Sequence, residues 1–287
     1  MFSKMHKGTI VLSHFQVASL LQSQKEATVS ISLDLGLTTS RVQVENSGII
    51  LPDGQRISWK DLGKISKHKN RCYLVENNTV SPIVVYSEKT GWVRTLYPTS
   101  SAPTTLISGI LMHRIKDVDP TEDTVRKIGT LGSLKGAVVL DTATGLGYTA
   151  IEASKQANKV VTVELDPTAL EIAQLNPWSQ KLFNNPKIIQ IVGDIGKEVK
   201  KFKNEDFTHI VHDPPTSRIT GELYSGNLYK EFYRILKSGG KMFHYIGDPN
   251  SEHGAQVTPG VIRRLQEAGF RDIEKRPEAF GVVAVKF

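Results

Sequence analysis

Cysteine is almost absent. Cys72 stands alone in 287 residues, so no internal disulfide and no thiolate zinc site is available. That usage fits a reducing compartment, and the expected localisation is cytoplasmic. No stretch approaches 18 uninterrupted apolar residues, which excludes a membrane-spanning helix. The opening Met1-Phe2-Ser3-Lys4, followed by Thr9-Ile10-Val11-Leu12, only faintly resembles a secretion signal, because His14 and Gln16 break the apolar run. Internal repeats and low-complexity tracts are missing. So are His or Cys pairs with metal-ligand spacing and any nucleophile-elbow motif, so neither a metal site nor a serine hydrolase is expected.

What is present describes a globular chain with a real core, 39% apolar and 23% charged. The net charge of +7 is unevenly placed. Residues 1–116 carry 14 Lys and Arg against 7 Asp and Glu, and the remainder is neutral. Such asymmetry suggests a polyanion-binding appendage on a neutral body, or else a basic solvated face.

The first hundred residues read as mostly β. Thr28–Leu35 alternates apolar and polar positions, which predicts a strand with one wet face. Asp53-Gly54 predicts a hairpin between Ile49-Ile50-Leu51 and a strand Arg56–Trp59, and Asn77-Asn78 marks another turn between Tyr73–Val75 and Ile83–Tyr86. Ser13 should cap a short helix burying Val17, Leu20 and Leu21. Pro98-Thr99-Ser100-Ser101-Ala102-Pro103 is the expected domain boundary, giving a basic β-rich domain over 1–103 and a second domain over 104–287. Asp119-Pro120 should open a helix. From Lys135 onward, apolar runs at Ala137–Leu140, Val160–Val163, Ile188–Val192, His209–Val211 and Met242–Ile246 alternate with helical stretches, including Thr149–Gln156 and Leu223–Leu236. This predicts an α/β domain whose mostly parallel sheet is covered on both faces. A helix over Pro259–Ala268 and a closing strand pair, Arg271–Lys275 and Gly281–Phe287, end the chain; that pair should be antiparallel.

The first parallel strand runs into Asp141-Thr142-Ala143-Thr144-Gly145-Leu146-Gly147-Tyr148-Thr149-Ala150. A strand, a tight glycine turn and a helix start let backbone approach a ligand closely. Gly145–Ala150 fits the dinucleotide fingerprint, but Asp141, an acid four residues before Gly145, suits a cationic amine better than a pyrophosphate. Glu164, 19 residues after Gly145, ends the second strand and suits a ribose diol. Gly193-Asp194-Ile195 follows the third strand and Asp213-Pro214-Pro215-Thr216 the fourth. Four successive strands thus end in an acid where open α/β sheets place ligands. Singly, such acids read as helix caps; in series they indicate a nucleoside carrying an amine.

On these motifs the chain, over roughly 119–287, resembles the Rossmann-like (class I) S-adenosylmethionine-dependent methyltransferases. The resemblance implies a seven-stranded sheet with an antiparallel last strand. It places the methionine part on Asp141 and the Ala143, Thr144, Gly145, Gly147 and Tyr148 loop. Glu164 would hold the ribose, beside Leu165, and Asp194 with Ile195 the adenine. Ala143 replaces a frequent family glycine. Met112-His113-Arg114, Asp119-Pro120 and Asp123 also resemble a predicted archaeal-type methyltransferase group, and the domain layout is loosely similar to that of tRNA adenine-N1 methyltransferases. The Asp213-Pro214-Pro215-Thr216 element is similar to one used by methyltransferases acting on amino groups, which implies catalytic roles for Asp213, Pro214 and Thr216. Thr216 stands where that family has an aromatic, so stacking on a base would fall to Tyr224 or Tyr229.

The expected activity is methylation of a nitrogen, in tRNA or rRNA or in a small amine. Three rivals remain: an aminopropyltransferase using decarboxylated adenosylmethionine, a nicotinamide oxidoreductase disfavoured by Asp141, and a non-catalytic RNA-binding protein. His212, His244, Tyr245, Asp248 and His253 lie near strand ends; His212 reads better as a core neighbour than as a base, and at most one of His244 and Tyr245 reaches the pocket. RNA contact is expected through Lys60, Lys64, Lys67, Lys69 and Arg71, which crowd one segment. The sequence leaves the oligomeric state open.

Overall fold

The computed structural model describes residues 9–23, 27–215, 221–248 and 250–287. It divides into two compact units, Met1–Thr121 with Thr168–Lys181, and Glu122–Pro167 with Leu182–Phe287.

The first unit is β-rich, built from a three-stranded and two four-stranded sheets. Ile10–Leu12, the apolar run that faintly resembled a signal, is a buried strand paired with Tyr73–Glu76. Helix α1 (His14–Gln22) starts at Ser13, whose hydroxyl accepts from Phe15 N while Gln16 closes the capping box. The Asp53-Gly54 hairpin forms as expected, with Gly54 at φ +86°. Two expectations fail locally. The strand from Thr28 stops at Ile31, because the Ser32 hydroxyl and the Asp34 carboxylate accept backbone N–H groups and fold 32–38 into a turn. The strand from Arg56 ends at Ser58, whose hydroxyl caps α2 (Trp59–Lys67) with Leu62 and Ile65 on its buried face.

The proline-flanked run at 98–103 is a hairpin connection, not an interdomain linker. Thr104–Ile107 pairs antiparallel with Val93–Tyr97, so the first unit continues beyond residue 103. Its limit falls inside α3 (Pro120–Gly129), the helix that Asp119-Pro120 announced. The segment Thr168–Lys181, which includes most of helix α5 (Pro167–Leu175), also belongs to this unit, tied by Trp178 Nε1 donating to the Leu35 carbonyl at 3.1 Å.

The second unit holds a seven-stranded sheet. Its strands are β1 (Val138–Asp141), β2 (Lys159–Glu164), β3 (Ile188–Val192), β4 (Phe207–His212), β5 (Leu236–Tyr245), β6 (Arg271–Arg276) and β7 (Gly281–Val285). Their order is 3-2-1-4-5-7-6. β7 alone runs against its neighbours, as the closing pair predicted. Leu140, Val161, Ile210, Met242 and Val282 pack with Phe232, Val261 and Leu265 from the covering helices, which is why these strands read as continuous apolar runs. No helix among the described residues is long and apolar enough to cross a membrane.

Candidate active site

Sheet order brings the acids together. Asp141 ends β1 and Glu164 ends β2, while Asp194 and Asp213 follow β3 and β4 directly or by one residue. Because these four strands are parallel and ordered 3-2-1-4, the carboxylates line one sheet edge in the sequence Asp194, Glu164, Asp141, Asp213. Neighbouring strands lie about 5 Å apart, so the row is long enough for an extended nucleoside.

The loop after β1 shapes the edge. Gly145 and Gly147 adopt φ of +52° and +78°, left-handed values that favour glycine. A Cβ on Gly147 would strike the Leu182 side chain at 2.6 Å, whereas one on Gly145 would meet nothing within 4 Å. The first glycine therefore leaves open space above the loop, and the second packs it down. Helix α4 (Tyr148–Ser154) begins at once, with Tyr148 buried beneath the loop.

Asp141 is fully buried. The Thr144 hydroxyl donates to Thr162 at 2.6 Å and Thr162 donates to Asp141 Oδ2 at 2.7 Å, while Thr149 donates to Oδ1 at 3.2 Å. Thr144 therefore spends its hydroxyl inside the protein and offers only backbone to a ligand. Burial pushes the Asp141 carboxyl up to about 7; the fields of Asp213 and Glu164 add to this, against the threonine hydrogen bonds. Among the described residues, the groups recorded at this carboxyl are threonine hydroxyls and other carboxyls.

Glu164 is nearly buried and preset by two backbone N–H groups: Gly145 N donates to Oε2 at 2.9 Å and Asp166 N to Oε1 at 3.0 Å. Both carboxylate oxygens are thereby fixed in orientation at the end of β2. Leu165 is exposed beside it, and Ile195 is buried. Asp194 does cap the short helix Ile195–Glu198, its Oδ1 accepting from Gly196 N at 2.9 Å. Ala143 is half-buried in the loop.

Asp213 has a partner that the sequence reading missed. Lys127 of α3 is completely buried; it donates to Asp213 Oδ2 at 2.7 Å and forms an ion pair with Asp123, its Nζ 2.9 Å from Oδ2. Its Nζ also lies 4.7 Å from the centre of the Tyr245 ring. Burial works to lower the lysine pKa, but the two carboxylates win and hold the ammonium above the ordinary lysine range. Burial raises the Asp213 carboxyl, opposed by Lys127. Asp123 and Lys127 stand four apart on a helix, the only sequence signal available, and that spacing alone reads as a surface ion pair.

Several expected participants lie elsewhere. His212 Nε2 bonds the Leu223 carbonyl at 2.8 Å, so Nε2 carries the proton and Nδ1 accepts from Thr142 at 2.6 Å. Burial pushes its pKa down to about 4, which makes it the core neighbour that was expected. His244 is equally enclosed, between the His212 carbonyl and the Tyr229 hydroxyl. Tyr245, not His244, therefore faces the lysine. Tyr229 is fully buried against His244, and the Tyr224 hydroxyl is turned to the carbonyls of Pro215 and Tyr245 at 3.4 Å. Neither ring presents a face for base stacking, contrary to expectation, because both fill the core under β5. Asp248 accepts from Asn250 N in a turn. Pro214 directly follows Asp213, while Thr216 and the side chain of His253 lie outside the described residues.

A family model described as "Conserved hypothetical protein 95" matches residues 108–231. The uncharacterized protein MJ1233 of Methanocaldococcus jannaschii is 40% identical over 292 residues, covering 98% of this chain and 99% of that one. Spermidine synthase from Thermotoga maritima superposes with a TM-score of 0.55 at 20% identity, covering 76% of this chain and 78% of its own. A TehB-like SAM-dependent methyltransferase from Corynebacterium glutamicum superposes with a TM-score of 0.43 at 19% identity, covering 57% and 88%. The architecture shared with the spermidine synthase structure is an α/β fold with a large, mostly parallel sheet.

Proposed function

The chain belongs to the family of the Methanocaldococcus jannaschii protein MJ1233, and we propose that it transfers the methyl group of S-adenosylmethionine to a nitrogen nucleophile. The observation that carries this reading is the ordered row of four carboxylates along one sheet edge. The donor set fits the group. Glu164 offers two preset oxygens to a ribose, and the space above Gly145 is open. Asp141 is a buried acid whose partners among the described residues are hydroxyls and other acids, and the α-ammonium of the methionine part would supply it a cation. Asp194 keeps Oδ2 for the exocyclic amine of adenine, with Leu165 and Ile195 as apolar flanks.

When bound, S-adenosylmethionine supplies an electrophilic methyl on a positively charged sulfur. The protein's part is positioning. Asp213 and the Pro214 carbonyl accept hydrogen bonds from the substrate amino group and aim its lone pair along the displacement axis. No metal is needed for that geometry. A preset acceptor pair of this kind is worth roughly a hundredfold or more in rate.

A second reading is favoured by the site's charge. Among the described residues, Asp123 and Asp213 share the ammonium of Lys127 while Asp141 and Glu164 end the neighbouring strands, and this acidic excess suits the decarboxylated donor, which has no carboxylate, and hence aminopropyl transfer. The likeness of fold to spermidine synthase supports the same alternative. Calorimetry with S-adenosylmethionine, S-adenosylhomocysteine and decarboxylated S-adenosylmethionine separates the two. Methyl transfer is upheld if the first two bind at least tenfold more tightly than the third, and overturned if the order is reversed or if none binds.

For the acceptor, the proposal is structured RNA. Lys60, Lys64 and Lys67 occupy positions i, i+4 and i+7 of α2 and form one exposed stripe opposite Leu62 and Ile65. Lys69, exposed, and Arg71 follow it. Such a stripe suits phosphates. A small-molecule amine is the alternative acceptor, and salt-insensitive activity on such an amine would decide for it.

A further inference from the structure

Lys127 needs a reason to be where it is. A lysine is almost never fully buried unless paired, and an apolar side chain of similar volume fills such a place at no electrostatic cost. Here all three directions of the ammonium are taken, by Asp213 at 2.7 Å, by Asp123 at 2.9 Å and by the Tyr245 ring at 4.7 Å. Only the tip of this arrangement, Asp213, reaches the sheet edge; its side chain keeps 16% of its surface exposed, while Lys127 and Asp123 keep 2% and 0%.

We propose that Lys127 is a positioning residue: it pins Oδ2 of Asp213, so that Asp213 stays ionised and turns Oδ1 alone toward the incoming nitrogen. The proposal rests on the reading of Asp213 as the acceptor for the substrate amine. Among the described residues, the groups that face Asp213 are Lys127 and Asp123 from α3, Asp141 from β1 and Tyr224 ahead of the helix Gly226–Ile235, with Tyr245 of β5 against the same ammonium. Apart from Lys127, these are carboxyls and phenols, and every one disfavours a second negative charge. Without the ammonium, Asp213 takes up a proton, and a protonated carboxyl donates to an amine nitrogen and so occupies the lone pair that must attack. With it, the charge is assigned. Asp213 is anionic from the start, and Asp141 is left to ionise when a cation arrives. Lys127 itself accepts no proton and does not touch the substrate.

Titration of Asp213 tests this without a known acceptor. Its carboxyl is followed by 13C NMR in protein labelled at aspartate and assigned with Asp213→Asn. In Lys127→Met the midpoint should rise by roughly one to three pH units relative to the unaltered protein, and Lys127→Arg should restore it. Binding of S-adenosylmethionine by Lys127→Met should stay within about threefold of the unaltered protein, a difference of roughly 0.7 kcal/mol or less. Should Lys127→Met fail to fold, Lys127→Met with Asp123→Asn removes the second stranded charge, and a smaller rise in the same direction is expected, since the field of Asp123 goes with it. An unchanged Asp213 midpoint in whichever of these folds overturns the proposal. Failure of the unaltered protein to bind S-adenosylmethionine would instead overturn the methyl-transfer reading, whatever the titration shows.

Discussion

Lowering the pH should release the donor, and Asp141 sets the amount. This carboxyl is fully buried and sits at about 7, chiefly through burial. On the proposed reading it holds the donor's ammonium only as a carboxylate, so binding below neutrality must expel a proton. The α-amino group itself titrates near 8 and stays charged throughout the acid range. Linkage then gives a tenfold loss of affinity for each unit below the carboxyl's midpoint, or about 25-fold between pH 7.5 and 5.5. At pH 6 about nine-tenths of a proton should leave per donor bound. Calorimetry in two buffers of different ionisation enthalpy reads that proton directly. Asp141→Asn should bind weakly at pH 7.5 and lose the pH dependence. The same group acts on folding with the opposite partner. Its folded pKa lies above the unfolded value of about 3.9, so the folded state binds the extra proton and stability falls as pH rises from about 4 to 7, by roughly 4 kcal/mol in all. Donor binding offsets that loss. Affinity that is flat from pH 5.5 to 7.5, with no proton released, would refute the pairing of Asp141 with the amine.

Glu164→Ala should remove one or two charge-assisted bonds to the ribose and weaken donor binding by roughly 10- to 150-fold, or 1.5–3 kcal/mol; unchanged affinity in a folded variant would remove Glu164 from the site. Asp213→Ala should lower turnover about a hundredfold while leaving donor affinity within a few-fold, and the reverse pattern would place Asp213 in the donor pocket. Gly147→Ala forces a left-handed φ of +78° on alanine and drives its Cβ to 2.6 Å from Leu182, so denaturant titration should show about 1–3 kcal/mol of lost stability. RNA retained on filters should fall roughly 50- to 150-fold between 50 and 200 mM salt if about four phosphates are neutralised. Replacing Lys64, Lys67 and Lys69 with Gln should flatten the slope of log affinity against log salt by about two, and a slope already flat in the unaltered protein would end the RNA proposal.

The sheet edge was legible because its signals are local. β1, β2 and β4 are largely buried and β3 is the partly exposed edge strand, yet all four read as short apolar runs, and a terminal acid after each is visible wherever the run is placed correctly. The closing antiparallel strand followed from a connection too short for a crossover helix. What the sequence hid is tertiary. Asp123 and Lys127 have the spacing of a solvated ion pair, and nothing near them announces Asp213, 86 residues away. Tyr224 and Tyr229 have the chemistry to stack on a base, but core packing took both rings. In the first unit, α2 was obscured by its own lysines, although Ser58 and the Leu62 and Ile65 pair mark its cap and face. The prolines at 98 and 103 punctuate a hairpin as readily as a domain boundary, and only the pairing of Thr104–Ile107 with Val93–Tyr97 tells the two apart.

The most direct test of the account is a crystal structure of the full chain with S-adenosylhomocysteine. The ribose hydroxyls should lie within hydrogen-bond reach of both Glu164 oxygens, the α-ammonium against Asp141, and the adenine beside Asp194 and Ile195, with the sulfur facing Asp213. An adenosyl group found away from this edge, or one that reverses along it so that the ribose leaves Glu164, would contradict the order of carboxylates on which the proposed function stands.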